Sequence, residues 1–486
     1  MSAPLRFSAA AYQNEYLPDG GHRVDVVVQI VAATSEAEAW QPRLSSTRAE
    51  FVILLDCSGS MSDPQTKLYE ARRAATAAVM ALRDGVSFAV VAGTEQARLV
   101  YPEEPALVAA TDETRAAAAA AIVRLRASGG TAIGRWLTLA DELFSTDDGV
   151  VRHAILLTDG KNQHETPEEL EVVLARCRNR FRCDCRATGE GGGAQGWSGA
   201  ELLSIAQALS GTIQSIEDPA DLLTNLTQAT AVAMQHAVAD LRLRLQLAEG
   251  STVLFLKQVH PTVNELTAHA VKVDHRVLEF STGAWGAERR DYQLALSVTP
   301  RSAGAELRVA WISLVPVVGP DPVDDVMEVP IWARWTHDAR ESTRINPQVA
   351  HYTMQTELAD TIQVGVQAYK DNRMDAARET LGRAVALAYQ SRHTDQLSQL
   401  ARLVEIDDPA RGLVRLRPDV DANGMESAVV DSVRTNVFRG DRGLEPEVVP
   451  RPGSGEVCPI CHTPRIDRYC EQDGHDFLGG AAIGGG

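Results

Sequence analysis

From Phe51 onward, short apolar stretches alternate with stretches whose apolar residues recur at helical spacing. FVILLD, VSFAVVAG and HAILLTDG are continuous apolar runs, as in strands that are buried on both faces of a sheet. The alternation predicts a parallel sheet with helices on both faces, a doubly wound, Rossmann-like α/β domain over residues 48–232. We expect its helices at about 67–82, 112–127, 135–143, 167–177 and 199–209, with further strands near 181–187 and in GTIQSI.

The segments on either side of this domain alternate between apolar and polar side chains with a period of two. LRLRLQLA, TVLFLKQV, DYQLALSVTP and VPIWARW occur between turn residues in the segment 238–338, which is the pattern of an antiparallel β-sandwich. RVDVVVQIVA predicts a strand in the N-terminal segment 1–47 as well. We expect the strands of residues 1–47 to join the sandwich. The α/β domain is therefore expected to be inserted in the sandwich or to be followed by it.

The C-terminal part of the chain changes pattern again. Residues 345–408 return to helical spacing, and GVQAYKDNRMDAARETLGRAVALA resembles one helical hairpin of the tetratricopeptide type. GLVRLRPDV predicts that residues 411–440 return as a β segment. The Pro, Gly and Glu content of residues 441–456 is typical of a linker, and a small cysteine-containing module is expected at 457–478.

The composition is that of a folded protein, and it also indicates which partners and which cell compartment to expect. A chain of 486 residues is too long to fold around a single hydrophobic core, so more than one domain is expected. Its contents of 44% hydrophobic and 23% charged residues are ordinary for a globular protein. The formal net charge of −18 repels phosphate backbones and anionic lipids, so neither nucleic acid nor a membrane is the expected partner. No apolar run of about 20 residues and no signal pattern is evident. Because the seven cysteines are also clustered, we expect a cytoplasmic protein without membrane insertion.

Hydroxyl and carboxylate residues follow two of the predicted buried strands. Asp56 ends FVILLD, and Ser58 and Ser60 follow it at two-residue intervals in DCSGSM. Thr131 comes from the GGT segment before a predicted helix, and Asp159 ends the strand HAILLTD. The carboxyl ends of parallel strands meet at one edge of a sheet, and hard cations take oxygen ligands. These five residues are the candidate ligands of Mg²⁺, or of Mn²⁺ or Ca²⁺; the alternative is that they only cap helices and shape turns.

With these residues in this order, the chain resembles the von Willebrand factor A domains that carry a metal-ion-dependent adhesion site. The resemblance implies that the two serines and the threonine bind the cation directly or through water, as do Asp56 and Asp159. It also implies that an Asp or Glu carboxylate of a partner protein completes the coordination. DCSGSM, TGAWGAERRDY and INPQVAHYT resemble bacterial, actinobacterial-type intracellular members that add a sandwich and a C-terminal ribbon.

CPICHTPRIDRYCEQDGHDF, near the C-terminus, holds a second candidate metal site. Cys458 and Cys461 form a C-x-x-C pair and Cys470 follows, and Zn²⁺ prefers thiolate and imidazole ligands. The segment resembles a short zinc ribbon whose second C-x-x-C pair is interrupted, so that His475 is the expected fourth ligand and Asp473 the alternative. A ribbon that has lost its metal is the competing interpretation.

The remaining motifs favour binding over catalysis. Cys177, Cys183 and Cys185 are expected to be buried apolar side chains rather than ligands. The family that the chain resembles mostly binds, and no general base is evident beside DCSGSM. The hypothesis is a non-enzymatic interaction or scaffold protein that binds a partner carboxylate through the divalent cation. The alternatives are a regulatory subunit beside an AAA+ ATPase, as in metal chelatases, and a metal-dependent hydrolase.

Overall fold

A computed structural model describes residues 5–34, 48–63, 66–189, 191–192, 196–317, 328–418 and 420–438. The predicted linker and the predicted zinc ligands lie outside these residues: Cys458, Cys461, Cys470, His475 and its alternative Asp473. In the described part of the chain, no helix is both long enough and apolar enough to cross a membrane.

The elements form four groups along the chain. The first group is β1 (Leu5–Gln13), β2 (Tyr16–Pro18) and β3 (Arg23–Thr34). The second is β4 (Ala49–Asp56), α1 (Thr66–Met80), β5 (Ser87–Gly93), β6 (Ala97–Tyr101), β7 (Val108–Ala109), α2 (Asp112–Ile122), α3 (Ile133–Leu143), β8 (Val151–Thr158), α4 (Pro167–Cys177), β9 (Arg182–Thr188), α5 (Gly199–Ala208), β10 (Ile213–Ile216) and α6 (Leu222–Ala233). The third is β11 (Asp240–Leu247), β12 (Thr252–His260), β13 (Asn264–Glu265), β14 (Ala270–Asp274), β15 (Val277–Ser281), β16 (Arg289–Ser297), β17 (Glu306–Val317) and β18 (Glu328–Thr336). The fourth is α7 (Ala339–Ser342), α8 (Pro347–Lys370), α9 (Met374–Gln390), α10 (Thr394–Leu403), β19 (Val404–Asp408), β20 (Leu413–Leu416) and α11 (Ala422–Ser432).

The second group forms one sheet with the strand order β10-β9-β8-β4-β5-β6, and β7 also pairs with β5. Strands β10, β9, β8, β4 and β5 are parallel, as the sequence predicts. Along β4, Val52 and Leu54 belong to the hydrophobic cluster that contains α3, α4 and α5. Phe51 and Ile53 belong to the cluster that contains α1, α2 and α6. Because alternate strand residues point to opposite faces, helices cover both faces of a doubly wound sheet.

The expectation of a wholly parallel sheet is wrong at one edge. Strands β6 and β7 run antiparallel to β5. Only Thr94, Glu95 and Gln96 connect β5 to β6, and the Thr94 N–H donates to the Gln96 carbonyl at 2.8 Å. A parallel neighbour needs a crossover of about a dozen residues or more, which this tight turn cannot supply.

Two further sheets pack around one hydrophobic cluster. Their strand orders are β1-β3-β16-β12-β13 and β14-β15-β11-β17-β18-β2. Both sheets contribute buried side chains to the cluster, among them Val26 of β3, Leu294 of β16 and Leu243 of β11. Strand β3 precedes the α/β group in sequence and pairs antiparallel with β16, which follows that group. The α/β group is thus inserted, along the chain, between strands of the same sheet.

Residues 411–440, predicted to return as a β segment, contain the strand β20, but the prediction is wrong for the residues after it and for a return to the larger sheets. Among the described strands, β20 pairs with β19 alone, in a two-stranded sheet separate from the two larger ones. The residues that follow form α11, whose N-cap Asp421 accepts the Gly424 N–H at 2.5 Å. This cap and the burial of Val429 and Val430 against the core shared by α8 and α9 stabilise a helix there.

Candidate metal site

The candidate site lies where β4 and β8 end. These strands are parallel neighbours, so Asp56, the last residue of β4, and Asp159, which directly follows β8, reach the same edge of the sheet. Asp56 is fully buried. Its Oδ1 accepts the Ser58 N–H at 2.7 Å, and its Oδ2 accepts the Thr158 hydroxyl at 2.5 Å. These two bonds fix the orientation of the carboxylate.

Ser58, Ser60 and Asp159 form a continuous chain of hydrogen bonds. The Ser60 Oγ donates to Asp159 Oδ1 at 2.6 Å, and the Ser58 Oγ lies 2.9 Å from the Ser60 Oγ. The Lys67 ammonium, in the first turn of α1, donates to the other oxygen, Asp159 Oδ2, at 3.0 Å. The β4–α1 connection and the end of β8 are therefore joined directly through their side chains.

Thr131 reaches the same edge because backbone bonds hold its segment there. The Gly59 N–H donates to the Gly129 carbonyl at 2.9 Å, and the Ser128 N–H donates to the Cys57 carbonyl at 2.8 Å. Gly129 has a φ of +76°, a conformation that glycine adopts without steric cost. Thr131 itself is buried. The structure thus places all five predicted ligands at one edge of the sheet.

This donor set suits a hard divalent cation. It consists of hydroxyl oxygens and two buried carboxylates, and Mg²⁺ prefers oxygen ligands while retaining several waters. Burial raises the pKa of Asp56 to about 6, and the neighbouring Asp159 carboxylate acts in the same direction. Holding two carboxylates close together away from water is unfavourable, and a cation beside them would offset that repulsion.

The rim of the site contains polar residues that the sequence analysis does not identify. The Glu95 carboxylate accepts the Gly130 N–H at 2.7 Å, so the tight turn after β5 supports the segment that carries Thr131. The Glu165 carboxylate accepts the Gly134 N–H at 2.7 Å at the start of α3. No sequence motif identifies either glutamate, because each accepts a hydrogen bond from the backbone N–H of a segment distant in sequence.

The glycine-rich segment after β9 is held by α11. The Gly191 N–H donates to Asn423 Oδ1 at 3.0 Å, and the Gly199 N–H, at the start of α5, donates to Glu426 Oε2 at 2.8 Å. At the near end of this segment, Gly189 leaves room for the Lys67 side chain, which a Cβ there would approach to 2.8 Å. The segment therefore contacts both α11 and a residue that binds Asp159.

The cysteines of the described residues do not form a metal site. Cys57, Cys177, Cys183 and Cys185 are buried free thiols. Burial raises the pKa of Cys57 to about 12 and that of Cys177 to about 11, so both are protonated at neutral pH. No group of three or more His, Cys, Asp or Glu side chains within the described ranges is arranged to hold a metal ion. This agrees with the interpretation of the Cys177–Cys185 cluster as apolar core.

Comparisons with known proteins agree with this fold. A family model described as von Willebrand factor type A domain matches residues 49–215. The solved structure of a von Willebrand factor type A protein from Catenulispora acidiphila is 40% identical, with a TM-score of 0.83, and the match covers 90% of this chain and 98% of that one. The ArnB paralog VWA2 from Sulfolobus acidocaldarius shares the fold, with 16% identity, a TM-score of 0.52, and coverage of 90% and 100%.

A curated relative matches a smaller part of the chain. It is described as uncharacterized protein sll0103 of Synechocystis sp., and it is 28% identical over 241 residues, which are 49% of this chain and 54% of the relative. The chain therefore spans about half the length of that relative.

Proposed function

This chain belongs to the von Willebrand factor type A family, a family that often mediates protein–protein interactions, and from that premise we propose that it is a non-enzymatic, divalent-cation-dependent interaction protein. A Mg²⁺ ion, or Mn²⁺ or Ca²⁺ in its place, binds at the edge of the α/β sheet and accepts an Asp or Glu carboxylate of a partner protein. The two β-sheets form a sandwich that scaffolds this domain. The C-terminal module binds Zn²⁺, and the protein acts in the cytoplasm.

One observation carries this proposal. The hydroxyls of Ser58 and Ser60 and the carboxylate of Asp159 lie in one hydrogen-bonded chain beside the buried Asp56. Hydroxyl ligands are neutral, so they neutralise the bound cation less than further carboxylates would, which favours the binding of an external carboxylate. Asp56, Ser58, Ser60, Thr131 and Asp159 would hold the ion.

Hydrogen bonds orient both carboxylates of the candidate site. Both oxygens of Asp56 accept hydrogen bonds, from Ser58 and Thr158. Both oxygens of Asp159 also accept hydrogen bonds, from Ser60 and Lys67. Each of these oxygens keeps a second lone pair, so the bonds orient the carboxylates and leave them able to contact a cation.

The first test is cation binding itself. Mn²⁺ titration of the full chain, followed by electron paramagnetic resonance, should show a site that Mg²⁺ displaces. Asp56→Ala and Ser60→Ala should each abolish or strongly weaken Mn²⁺ binding at this site. Asp63→Ala is the matched control, because Asp63 is an exposed carboxylate just beyond the same turn, and it should bind as the wild type does. Equal Mn²⁺ affinity in all four proteins would refute the proposed site.

The second test concerns the partner. The full chain, carrying an affinity tag, is used to capture partner proteins in two parallel experiments, one with Mg²⁺ and one with EDTA. The Asp56→Ala and Asp63→Ala variants are tested under the same two conditions. The proposal expects a protein that is retained with Mg²⁺ by the wild type and by Asp63→Ala, and lost with EDTA or in Asp56→Ala. A partner retained equally in EDTA would show that binding does not use the cation.

A further inference from the structure

Three arginines, which we call the arginine cluster, lie near the sheet edge that carries the candidate metal site. They are Arg72 of α1, Arg98 of β6, and Arg126 in the segment that follows α2. Arg98 is opposite Ala92, the residue before the last one of β5, so it lies at the edge where β5 ends. Val100, two residues further along β6, packs on the hydrophobic cluster that contains α1 and α2. Because strand residues two apart share a face, Arg98 is directed towards those helices and the other two arginines.

The arginine cluster adjoins the candidate metal site at Cys57. Cys57 stands between Asp56 and Ser58, two of the candidate ligands. Burial raises the pKa of Cys57 to about 12, and the guanidinium groups of Arg98 and Arg72 act in the opposite direction. Both arginines are therefore within electrostatic range of a residue that directly follows one candidate ligand and precedes another.

None of the three arginines forms an ion pair with a carboxylate of the described residues. Arg72 Nη2 and Arg126 Nη1 both donate to the Leu125 carbonyl, the second at 3.5 Å, so two guanidinium groups converge on one neutral acceptor. The Arg72 Nε is buried and has no hydrogen-bond partner within the described part of the chain. Burial lowers the pKa of Arg72, and the nearby Arg126 guanidinium lowers it further. Like charges thus lie together without a described carboxylate to neutralise them.

Two acidic residues of the neighbouring segments are engaged elsewhere. Glu70 of α1 pairs with Arg73 at 2.8 Å, and the Glu95 carboxylate accepts the Gly130 N–H at 2.7 Å. The arginine cluster is therefore a local excess of positive charge in a chain whose formal net charge is −18. Positive charges beside a cation site oppose the binding of the cation itself. They favour an anion that arrives at the site.

We propose that the arginine cluster binds a second carboxylate of the partner protein, so that the recognised segment is an acidic peptide with at least two Asp or Glu side chains. This inference rests on the proposed function, in which one carboxylate of the partner completes the coordination of the cation. The second carboxylate is held by the arginines, whose planar donor groups bind carboxylate oxygens with paired hydrogen bonds. Complementary charge of this kind selects among partners and speeds their association. A segment with a single carboxylate would leave the charge of the cluster uncompensated.

The test uses fluorescein-labelled synthetic peptides and the full chain. One peptide carries a single Asp in a Gly-Ser sequence, and the others add a Glu between one and six residues away on either side, a reach of up to about 20 Å in an extended chain. Fluorescence anisotropy gives the affinities in Mg²⁺ and in EDTA. At least one diacidic peptide should bind in Mg²⁺ about tenfold more tightly than the single-Asp peptide. The same peptide with Gln in place of Glu is the matched control and should lose this advantage.

The variants connect the advantage of the diacidic peptide to the arginine cluster. Arg98→Met and Arg126→Met change exposed arginines, and each should reduce the advantage by about threefold, while the double variant should abolish it. Arg83→Met, at an exposed arginine between α1 and β5, is the control and should behave as the wild type does. Both cluster variants should bind Mn²⁺ at least as tightly as the wild type, because the lost charge repels the cation. Misfolding would instead weaken Mn²⁺ binding.

The outcomes separate this inference from the proposed function. Single-Asp binding that requires Mg²⁺, with no gain from a second carboxylate or with a gain that survives in the double variant, would overturn the role of the arginine cluster alone. Equal binding of every peptide in Mg²⁺ and in EDTA would contradict the proposed function, and the inference with it. Absence of binding by any diacidic peptide at millimolar concentration would also overturn the inference.

Discussion

The Glu426 carboxylate joins three parts of the chain, and its removal should be costly. Its Oε2 accepts the Gly199 N–H at 2.8 Å at the start of α5, and its Oε1 accepts from the Lys370 ammonium at 2.7 Å at the end of α8. The Glu426 side chain is 7% exposed and that of Lys370 is 26% exposed. We predict that Glu426→Ala destabilises the protein although it touches none of the candidate ligands.

The size of the effect follows from these contacts. Loss of a helix-capping acceptor costs about 1 kcal/mol. Removal of one member of a largely buried ion pair costs up to about 3 kcal/mol, less than for a fully buried pair because water reaches Lys370. Together these losses predict that the free energy of unfolding falls by about 2–4 kcal/mol. Glu426→Gln keeps an acceptor oxygen but loses the charge, so its loss should be intermediate.

Urea unfolding followed by circular dichroism measures these differences, and a double-mutant cycle isolates the ion pair. Lys370→Met alone and together with Glu426→Ala should give a coupling free energy of about 1–2 kcal/mol. Glu379→Ala, at an exposed glutamate of α9, is the matched control and should change stability by less than about 0.5 kcal/mol. A loss for Glu426→Ala no larger than for Glu379→Ala, or fully additive effects of the Glu426 and Lys370 changes, would refute the reasoning.

Three further predictions use other contacts. Thr111→Ala removes the hydroxyl that accepts the Thr114 N–H at 3.2 Å at the start of α2, so it should cost about 1 kcal/mol in urea unfolding, and an unchanged midpoint would contradict this. Burial lowers the pKa of His269 to about 4, so its contribution to stability is complete above the unfolded value near 6.5 and is lost as the pH falls towards 4. His269→Gln should therefore flatten the pH dependence of the urea midpoint over that window, and an unaltered slope would count against it. Lys67→Met removes the positive charge 3.0 Å from Asp159 Oδ2 and should raise the affinity for Mg²⁺ by roughly tenfold in calorimetry. Lys67→Arg keeps the charge and should not raise it. Equal Mg²⁺ affinities of the Lys67→Met variant and the wild type would exclude the charge effect.

The parts of the fold in which apolar residues recur with a clear strand or helix spacing were predictable. The buried runs before Asp56 and Asp159 are strands, and because β4 and β8 are parallel neighbours, the residues after them meet at one edge. The start of α2 near residue 112 was predictable for a similar local reason, since apolar residues at helical spacing begin there, directly after the hydroxyl residue Thr111 that caps the helix. These predictions needed only patterns within a few residues.

What could not be predicted depends on contacts between distant segments. The segment ANGMESAVVDS of α11 has small and apolar residues that fit a strand as well as a helix, and its docking on α5 and α8 decides the outcome. Lys67 and Glu426 act on partners far away in sequence, Asp159 and Gly199, so no local spacing identifies them. The antiparallel edge was missed because the connection after β5 is shorter than the pattern of helices suggested.

The pairing of β3 with β16 has a consequence for how the protein is made. Strand β3 leaves the ribosome before the whole α/β group, and β16 leaves after it. In the interval β1 and β3 can form a hairpin, but an isolated hairpin is marginally stable, and Val24, Val26 and Ile30 of its apolar face lack the sheet that buries them in the finished protein. Of the two cores of the α/β group, the one under α1, α2 and α6 lies almost wholly within the group, whereas the one under α3, α4 and α5 is completed by α8, α9 and α11. Nascent chains that stop before Arg289 should therefore bind chaperones or aggregate through this hairpin, and release should follow once β16 has been synthesised.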